Sequence, residues 1–275
     1  MITLEQILKE GADKLNLAKI TDADLDAWYL MEYSFGIDRA TYYMRRQEVA
    51  DPQATLLYRQ CISRRLEHIP VSQITQERDF YGYRFFVNEH VLAPRQETEE
   101  LVEHVLKKCD GKKVLDLCTG SGCIILTLAL EGNLSQAVGI DISLEALEVA
   151  KVNQGRLQAK ATLFQSDLFQ SVEGVFDIIV SNPPYIPTAD IKELMPEVKL
   201  HEPMLALDGK EDGLWFYRRI IEEARNHLTE HGEVFFEIGY NQGSAVSDLL
   251  LAAGFTNVTV YKDLSGLDRV VYAQA

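Results

Sequence analysis

The chain has 275 residues, 47% of them hydrophobic and 25% charged, and its 42 acids against 27 Lys plus Arg give a formal charge of -15 at pH 7. That is ordinary globular composition, long enough for one large domain or a medium one with a small companion. The acid excess argues against a protein that holds nucleic acid by its phosphates, which needs a basic footprint.

Residues 4–68 carry apolar side chains at helical spacing: Leu4, Ile7, Leu8 and Ala12, then Leu25, Tyr29, Leu30 and Tyr33, then Leu56, Leu57, Cys61 and Leu66. Thr21-Asp22-Ala23-Asp24 and Ala50-Asp51-Pro52 supply caps and breakers between them. A small helical bundle over residues 1–72 is expected. Residues 1–90 hold 14 acids and 11 bases, so the acid excess lies mostly beyond them. Arg39, Arg45, Arg46, Arg59, Arg64 and Arg65 gather here, either as solvated helix faces or as the place for any polyanion contact. Asp79 to Val87 is aromatic around Gly82 and reads as a β-hairpin within a linker over residues 73–93.

Residues 94–275 alternate helices and strands. Helix 97–109 precedes strand 113–117, followed by helix 123–131, strand 136–140, helix 144–154, strand 161–165 and strand 176–181. After an irregular stretch come helix 213–228, strand 233–238, helix 242–253 and strands 256–261 and 269–273. The alternation predicts a doubly wound, largely parallel sheet of seven strands. Lys262 to Asp268 is too short for a helical crossover, so the last two strands pair antiparallel or do not pair at all. No apolar run reaches 18 residues and no basic-then-apolar segment opens the chain, so neither a membrane span nor a secretory signal is expected. Cys61, Cys109, Cys118 and Cys123 form no paired CxxC motifs and read as reduced thiols of a cytoplasmic protein, with no metal site.

Four segments carry chemistry. Asp116-Leu117-Cys118-Thr119-Gly120-Ser121-Gly122 is a strand running into a small-residue turn that opens a helix, where backbone comes close to a ligand. Cys118 stands where a dinucleotide fold has its first glycine, which disfavours a pyrophosphate cradle. Asp116 is a candidate for a cationic ammonium. Asp141 ends the next strand, where an acid binds both hydroxyls of a ribose or caps the following helix. Asp167 and Leu168 follow the third strand, suited to an adenine amine and ring or to a capped turn.

The sharpest segment is Asn182-Pro183-Pro184-Tyr185 at the end of strand 176–181. Two prolines cannot continue a parallel strand, so the chain is stiff and short of N–H donors. The Asn182 amide oxygen and the Pro183 carbonyl match the two hydrogens of a planar NH2 group, and Tyr185 can cover its face. The tetrapeptide resembles the signature of amino-group methyltransferases acting on adenine, cytosine or glutamine amides. The whole chain resembles the release factor glutamine N5-methyltransferases, the HemK/PrmC family. The matching segments are Asp79-Phe80-Tyr81-Gly82, Val91 to Glu99, the Asp116 to Gly122 loop, Ser181 to Ile186, Phe236-Glu237-Ile238-Gly239 and Asp263 to Val271. Two departures stand out: Gln96 replaces a common proline, and Leu168 stands where a Trp is frequent.

The resemblance implies a Rossmann-like, seven-stranded S-adenosylmethionine methyltransferase domain over residues 94–275, with residues 1–72 recognising the release factor. It implies that the cofactor lies across Cys118, Thr119, Gly120, Ser121 and Gly122, with Asp116, Asp141, Asp167, Leu168 and Asn182 around it. Asn182, Pro183, Pro184 and Tyr185 would bind the glutamine of the Gly-Gly-Gln segment of bacterial class 1 release factors, and S-adenosylhomocysteine would be the product. The alternative is a DNA or RNA adenine N6-methyltransferase. That enzyme needs a basic target-recognition surface and usually extra residues after the tetrapeptide, whereas here the remaining residues complete the sheet. A non-catalytic binding module is disfavoured by the intact tetrapeptide.

Overall fold

Local chemistry starts the first helices. Thr3 Oγ1 accepts from the Gln6 amide while Gln6 Oε1 accepts from the Thr3 amide at 3.0 Å, a capping box that opens α1 (Leu4–Leu17). Then come α2 (Ala23–Phe35), α3 (Arg39–Arg45) capped by Asp38, and α4 (Pro52–Leu66) capped by Asp51 with Pro52 at its first position. A fifth turn, α5 (Val71–Thr75), carries this helical unit to Gln76, four residues beyond the expected bundle. The fold is taken from a computed structural model describing residues 2–275.

The unit's core holds Ile7, Leu15, Leu30, Met31 and Tyr58. The expected stripe on α2 is largely wrong: Leu25, Tyr29 and Tyr33 are exposed, and Ala23, Ala27, Trp28, Leu30 and Met31 are buried. On α4, Leu56, Leu57 and Leu66 are likewise exposed while Tyr58, Cys61 and Ile62 are buried. Helical spacing is satisfied on more than one face of such helices, and small alanines decide which face lets a neighbour approach. Arg65 is no solvated arginine. It is 5% exposed and pairs with Asp26 at 2.7 Å and Glu197 at 2.8 Å. Glu197 comes from Met195–His201, a segment distant in sequence that belongs to this unit.

The second unit comprises Glu77–Leu194 and Glu202–Ala275. Strands β1 (Glu77–Phe80) and β2 (Tyr83–Phe86) form the expected hairpin, with Tyr81 and Gly82 both at positive φ in its two-residue turn. Phe80 and Phe85 are buried with Leu101 and Val105, so the hairpin contributes to this unit's core. Next in order are α6 (Glu97–Leu106), β3 (Lys113–Leu117), α7 (Cys123–Glu131), β4 (Gln136–Asp141), α8 (Leu144–Leu157), β5 (Thr162–Gln165) and β6 (Phe176–Ser181). The first unit's α9 (Pro196–His201) interrupts, and α10 (Met204–Leu207), α11 (Trp215–Ala224), β7 (Leu228–Glu237), α12 (Gly243–Ala252), β8 (Thr256–Lys262) and β9 (Asp268–Gln274) finish the chain.

The sheet order is β5-β4-β3-β6-β7-β9-β8, parallel except that β9 runs against both neighbours. This is the expected doubly wound architecture with an antiparallel last strand. Two apolar layers cover the sheet, one around Ile179, Tyr217 and Phe236, the other around Ile125, Val180 and Phe235. The order reverses between β3 and β6, and a crevice at the carboxyl ends of the strands is the consequence.

Candidate active site

Strands β3 and β6 are bonded in register with Leu117 opposite Ser181, and the Ser181 hydroxyl donates to the Leu117 carbonyl at 2.6 Å. Beyond that pair the chains part. One enters the Cys118–Gly122 loop and the other enters Asn182-Pro183-Pro184-Tyr185. Between them opens a crevice of about 260 Å³.

The loop side is tightly braced. Cys118 sits at φ +62, a left-handed conformation that explains why glycine suits this place. Its thiol is pushed up by burial and by the carboxylates of Asp141 and Asp116, so it is neutral and no nucleophile. Asp141 accepts from the Gly120 amide and the Ser143 amide, both at 2.9 Å, which fixes loop and strand end together. Ser143, not Asp141, caps α8 through the Ala146 amide. Burial raises the Asp141 carboxyl.

Asp116 departs from expectation. It is fully buried and does not line the crevice; its Oδ2 accepts from the Thr119 hydroxyl at 2.6 Å. Burial, with repulsion from Asp141, pushes it up to about 8. As placed, it braces the loop from behind rather than facing a ligand. Gly122 also stays behind the crevice, while Thr119, Gly120 and Ser121 line it.

The far wall was only partly legible. Asp167 and Leu168 line the crevice, and Asp167 is paired with Arg219 of α11 at 2.8 Å. The Arg219 guanidinium lies 4.7 Å from the Trp215 ring centre, and Trp215 packs edge-on against Phe216. Trp215, Phe216 and Arg219 all line the crevice, and sequence reasoning missed them. A Trp at the start of an amphipathic helix next to the strand ends was the available signal. Arg95 and Glu202 were also unassigned. Arg95 Nη2 reaches both Glu202 oxygens at 2.7 Å, closing the segment before α6 onto the segment before α10.

Asn182 and Pro184 line the crevice; Pro183 is buried behind them, and Tyr185 packs against the main core. The Tyr185 carbonyl accepts from Gln242 at 2.9 Å. Gly213, at φ +74, lies so close that a Cβ there would stand 2.3 Å from that same carbonyl. The Asn182 amide nitrogen points to Thr98 Oγ1 at 3.5 Å, leaving its oxygen for the crevice.

A glycine loop, a strand-end acid and a proline-stiffened acceptor turn around one crevice define a methyltransferase of the seven-stranded, doubly wound class. Residues 96–198 match the Methyltransferase small domain, and residues 6–75 match the PrmC N-terminal domain. A methyltransferase from Pyrococcus furiosus shares the fold, with TM-score 0.55 and 19% identity over 71% of this chain and 90% of that one. The release factor glutamine methyltransferase of Thermodesulfovibrio yellowstonii is 41% identical over 86% of this chain and 88% of its own length. That of Geobacter sulfurreducens is 36% identical over 98% and 95%. The chain belongs to the release factor glutamine methyltransferase family.

Proposed function

We propose that this chain transfers a methyl group from S-adenosylmethionine to the side-chain amide nitrogen N5 of the glutamine in the Gly-Gly-Gln segment of bacterial class 1 peptide chain release factors. The observation that carries the reading is that Asn182 and Pro184 line the same crevice as Gly120 and Asp141. Acceptor turn and cofactor loop therefore face one space.

Three features of the chain fit that cofactor. A Cβ on Gly120 would meet no protein atom within 4 Å, so the space beside it belongs to the crevice. Asp141 keeps free lone pairs on both oxygens beyond those bonded to amides, as two ribose hydroxyls require. Ser121, which lines the crevice, has a buried hydroxyl oxygen without a partner directly at the loop. Trp215, Leu168 and Asp167 would hold the adenine, with Trp215 giving the aromatic cover that Leu168 lacks. When bound, the cofactor supplies a methyl group already activated by positive sulfur.

The protein's own contribution is orientation. An amide nitrogen is a poor nucleophile because its lone pair is delocalised into the carbonyl. Hydrogen bonding from the substrate NH2 to Asn182 Oδ1, held in place by the stiff turn, pushes density back to nitrogen and aligns it for in-line attack. The prolines remove competing N–H donors and keep the acceptors fixed. No side chain in the turn is a base, and the proton leaves to water after transfer.

Recognition of the release factor is assigned to the helical unit, whose exposed Tyr43 and Met44 offer apolar contact, together with the acidic second unit. Among the described residues no helix is long and apolar enough to cross a membrane, and we assign the protein to the cytoplasm. The test is incubation with labelled cofactor and, in parallel, a release factor, the same factor with its Gly-Gly-Gln glutamine replaced, and duplex DNA. Label on the intact factor alone is expected. Label on DNA, or label surviving the glutamine replacement, would overturn the reading, the former in favour of an adenine methyltransferase.

A further inference from the structure

A side-chain amide fits its space either way round, yet methyl transfer to an amide nitrogen needs the oxygen of Asn182, not its NH2, facing the substrate. Something must choose. The parallel register sets Ser181 opposite Phe236, so the next residues on the two strands, Asn182 and Glu237, leave adjacent strand ends side by side. Glu237 is 1% exposed and its Oε2 has no hydrogen-bond partner. Thr98 and Asn182 are the uncharged side chains that act on its carboxyl, and the Asn182 amide nitrogen faces Thr98 Oγ1 at 3.5 Å. The other charged or titratable groups facing it are Arg269 on β9, Glu97 on α6, Tyr185, Tyr217 on α11 and Cys123 at the start of α7. Arg269 is already engaged, donating to Asp263 and to the Ile238 carbonyl.

We propose that Glu237 is the positioning residue of the transfer: its carboxylate holds the Asn182 NH2 inward and so presents the Asn182 oxygen to the substrate amide. The inference rests on the glutamine-methylation reading. An ionised carboxylate only accepts hydrogen bonds, so it tolerates one orientation of the amide. A protonated carboxyl can donate to the Asn182 oxygen, draw it inward and turn the NH2 outward, where it opposes the NH2 of the substrate. Burial pushes Glu237 up to about 7, which brings this change of orientation into the working range.

The experiment is the pH dependence of kcat and KM for the release factor at saturating cofactor, in the wild type, Glu237→Gln and Thr98→Val. S-adenosylhomocysteine affinity by calorimetry serves as the folding control. Turnover by the wild type tests the underlying reading by itself, since its absence would remove that reading whatever the variants do. In the wild type, kcat is expected to fall roughly tenfold per pH unit on the acid side of about 7. Glutamine donates as well as accepts at every pH, so Glu237→Gln should lower kcat by about tenfold or more. Its KM and S-adenosylhomocysteine affinity should stay within about threefold, and the acid limb should vanish. Thr98→Val should lower kcat less and keep the limb, which carries the test if the glutamine variant does not fold. A Glu237→Gln enzyme with wild-type kcat, or with the acid limb intact, would overturn the proposal. Equal losses of kcat and S-adenosylhomocysteine affinity in both variants would also overturn it, showing a packing role.

Discussion

Asn153 on α8 donates its side-chain amide to the Ser121 carbonyl at 2.9 Å, and this bond ties the glycine loop to a helix one strand further along the chain. The same amide donates to the Phe86 carbonyl at 2.9 Å and accepts from the Phe86 amide, so one fully buried side chain serves the hairpin and the loop together. Asn153→Ala would remove the partner of three backbone groups, the Ser121 carbonyl buried and the two of Phe86 partly so. A loss of about 2–4 kcal/mol is expected, read as a lower Tm with weaker S-adenosylhomocysteine binding. A Tm within a degree of wild type would contradict this account.

Asn182→Ala and Gly213→Ala should both injure turnover more than cofactor affinity. The first removes the acceptor for the substrate amide. The second places a Cβ against the Tyr185 carbonyl in a backbone conformation that alanine adopts with strain, so the acceptor turn must shift. We expect kcat to fall about a hundredfold or more for Asn182→Ala, with S-adenosylhomocysteine affinity nearly unchanged. Parallel loss of both quantities in Asn182→Ala would remove its assigned role.

The chain has two tryptophans, Trp28 in the helical unit and Trp215 in the crevice. Binding of S-adenosylhomocysteine should therefore change the intrinsic fluorescence of the wild type and of Trp28→Phe. Trp215→Leu should abolish the change and weaken binding by roughly fivefold, the worth of about 1 kcal/mol of ring stacking. A signal that survives in Trp215→Leu would place the adenine elsewhere.

Stability should carry the mark of the buried acids. Asp116 is raised to about 8 and Glu237 to about 7, both by burial. From pH 4 to 8 the folded state thus binds more protons than the unfolded one, and these groups make stability fall as pH rises. Glu10 acts oppositely: Arg59 and Lys14 hold it down to about 2, so its contribution is present above pH 4.5 and lost on acidification. These three groups lie at the surface, Glu10 partly and its two partners about half exposed, and their share is small. Between pH 5 and 8, Asp116→Asn should flatten the decline of Tm relative to wild type. Identical slopes in the two proteins would show that Asp116 ionises normally.

Local signals sufficed for much of this protein. Alternating periodicity and the two prolines after Asn182 determined the sheet and the stiff turn, and the short Lys262 to Asp268 connection excluded a parallel last pair, because each acts within a few residues of itself. Spacing alone did not choose the buried face of α2 or α4, since that depends on which neighbour packs where. Asp116 looked like a ligand from its motif, but the depth of β3 in the sheet turned it into a buried brace. The pairing of Asp167 with Arg219, the closure of Arg95 on Glu202 and the register that sets the strand end before Asn182 beside the one before Glu237 each join residues at least 50 positions apart. Sequence determined which chemistry the chain carries, because motifs are local. Tertiary structure decided which groups face the crevice and which stand behind it, because strand order and burial set the distances and the dielectric those groups experience.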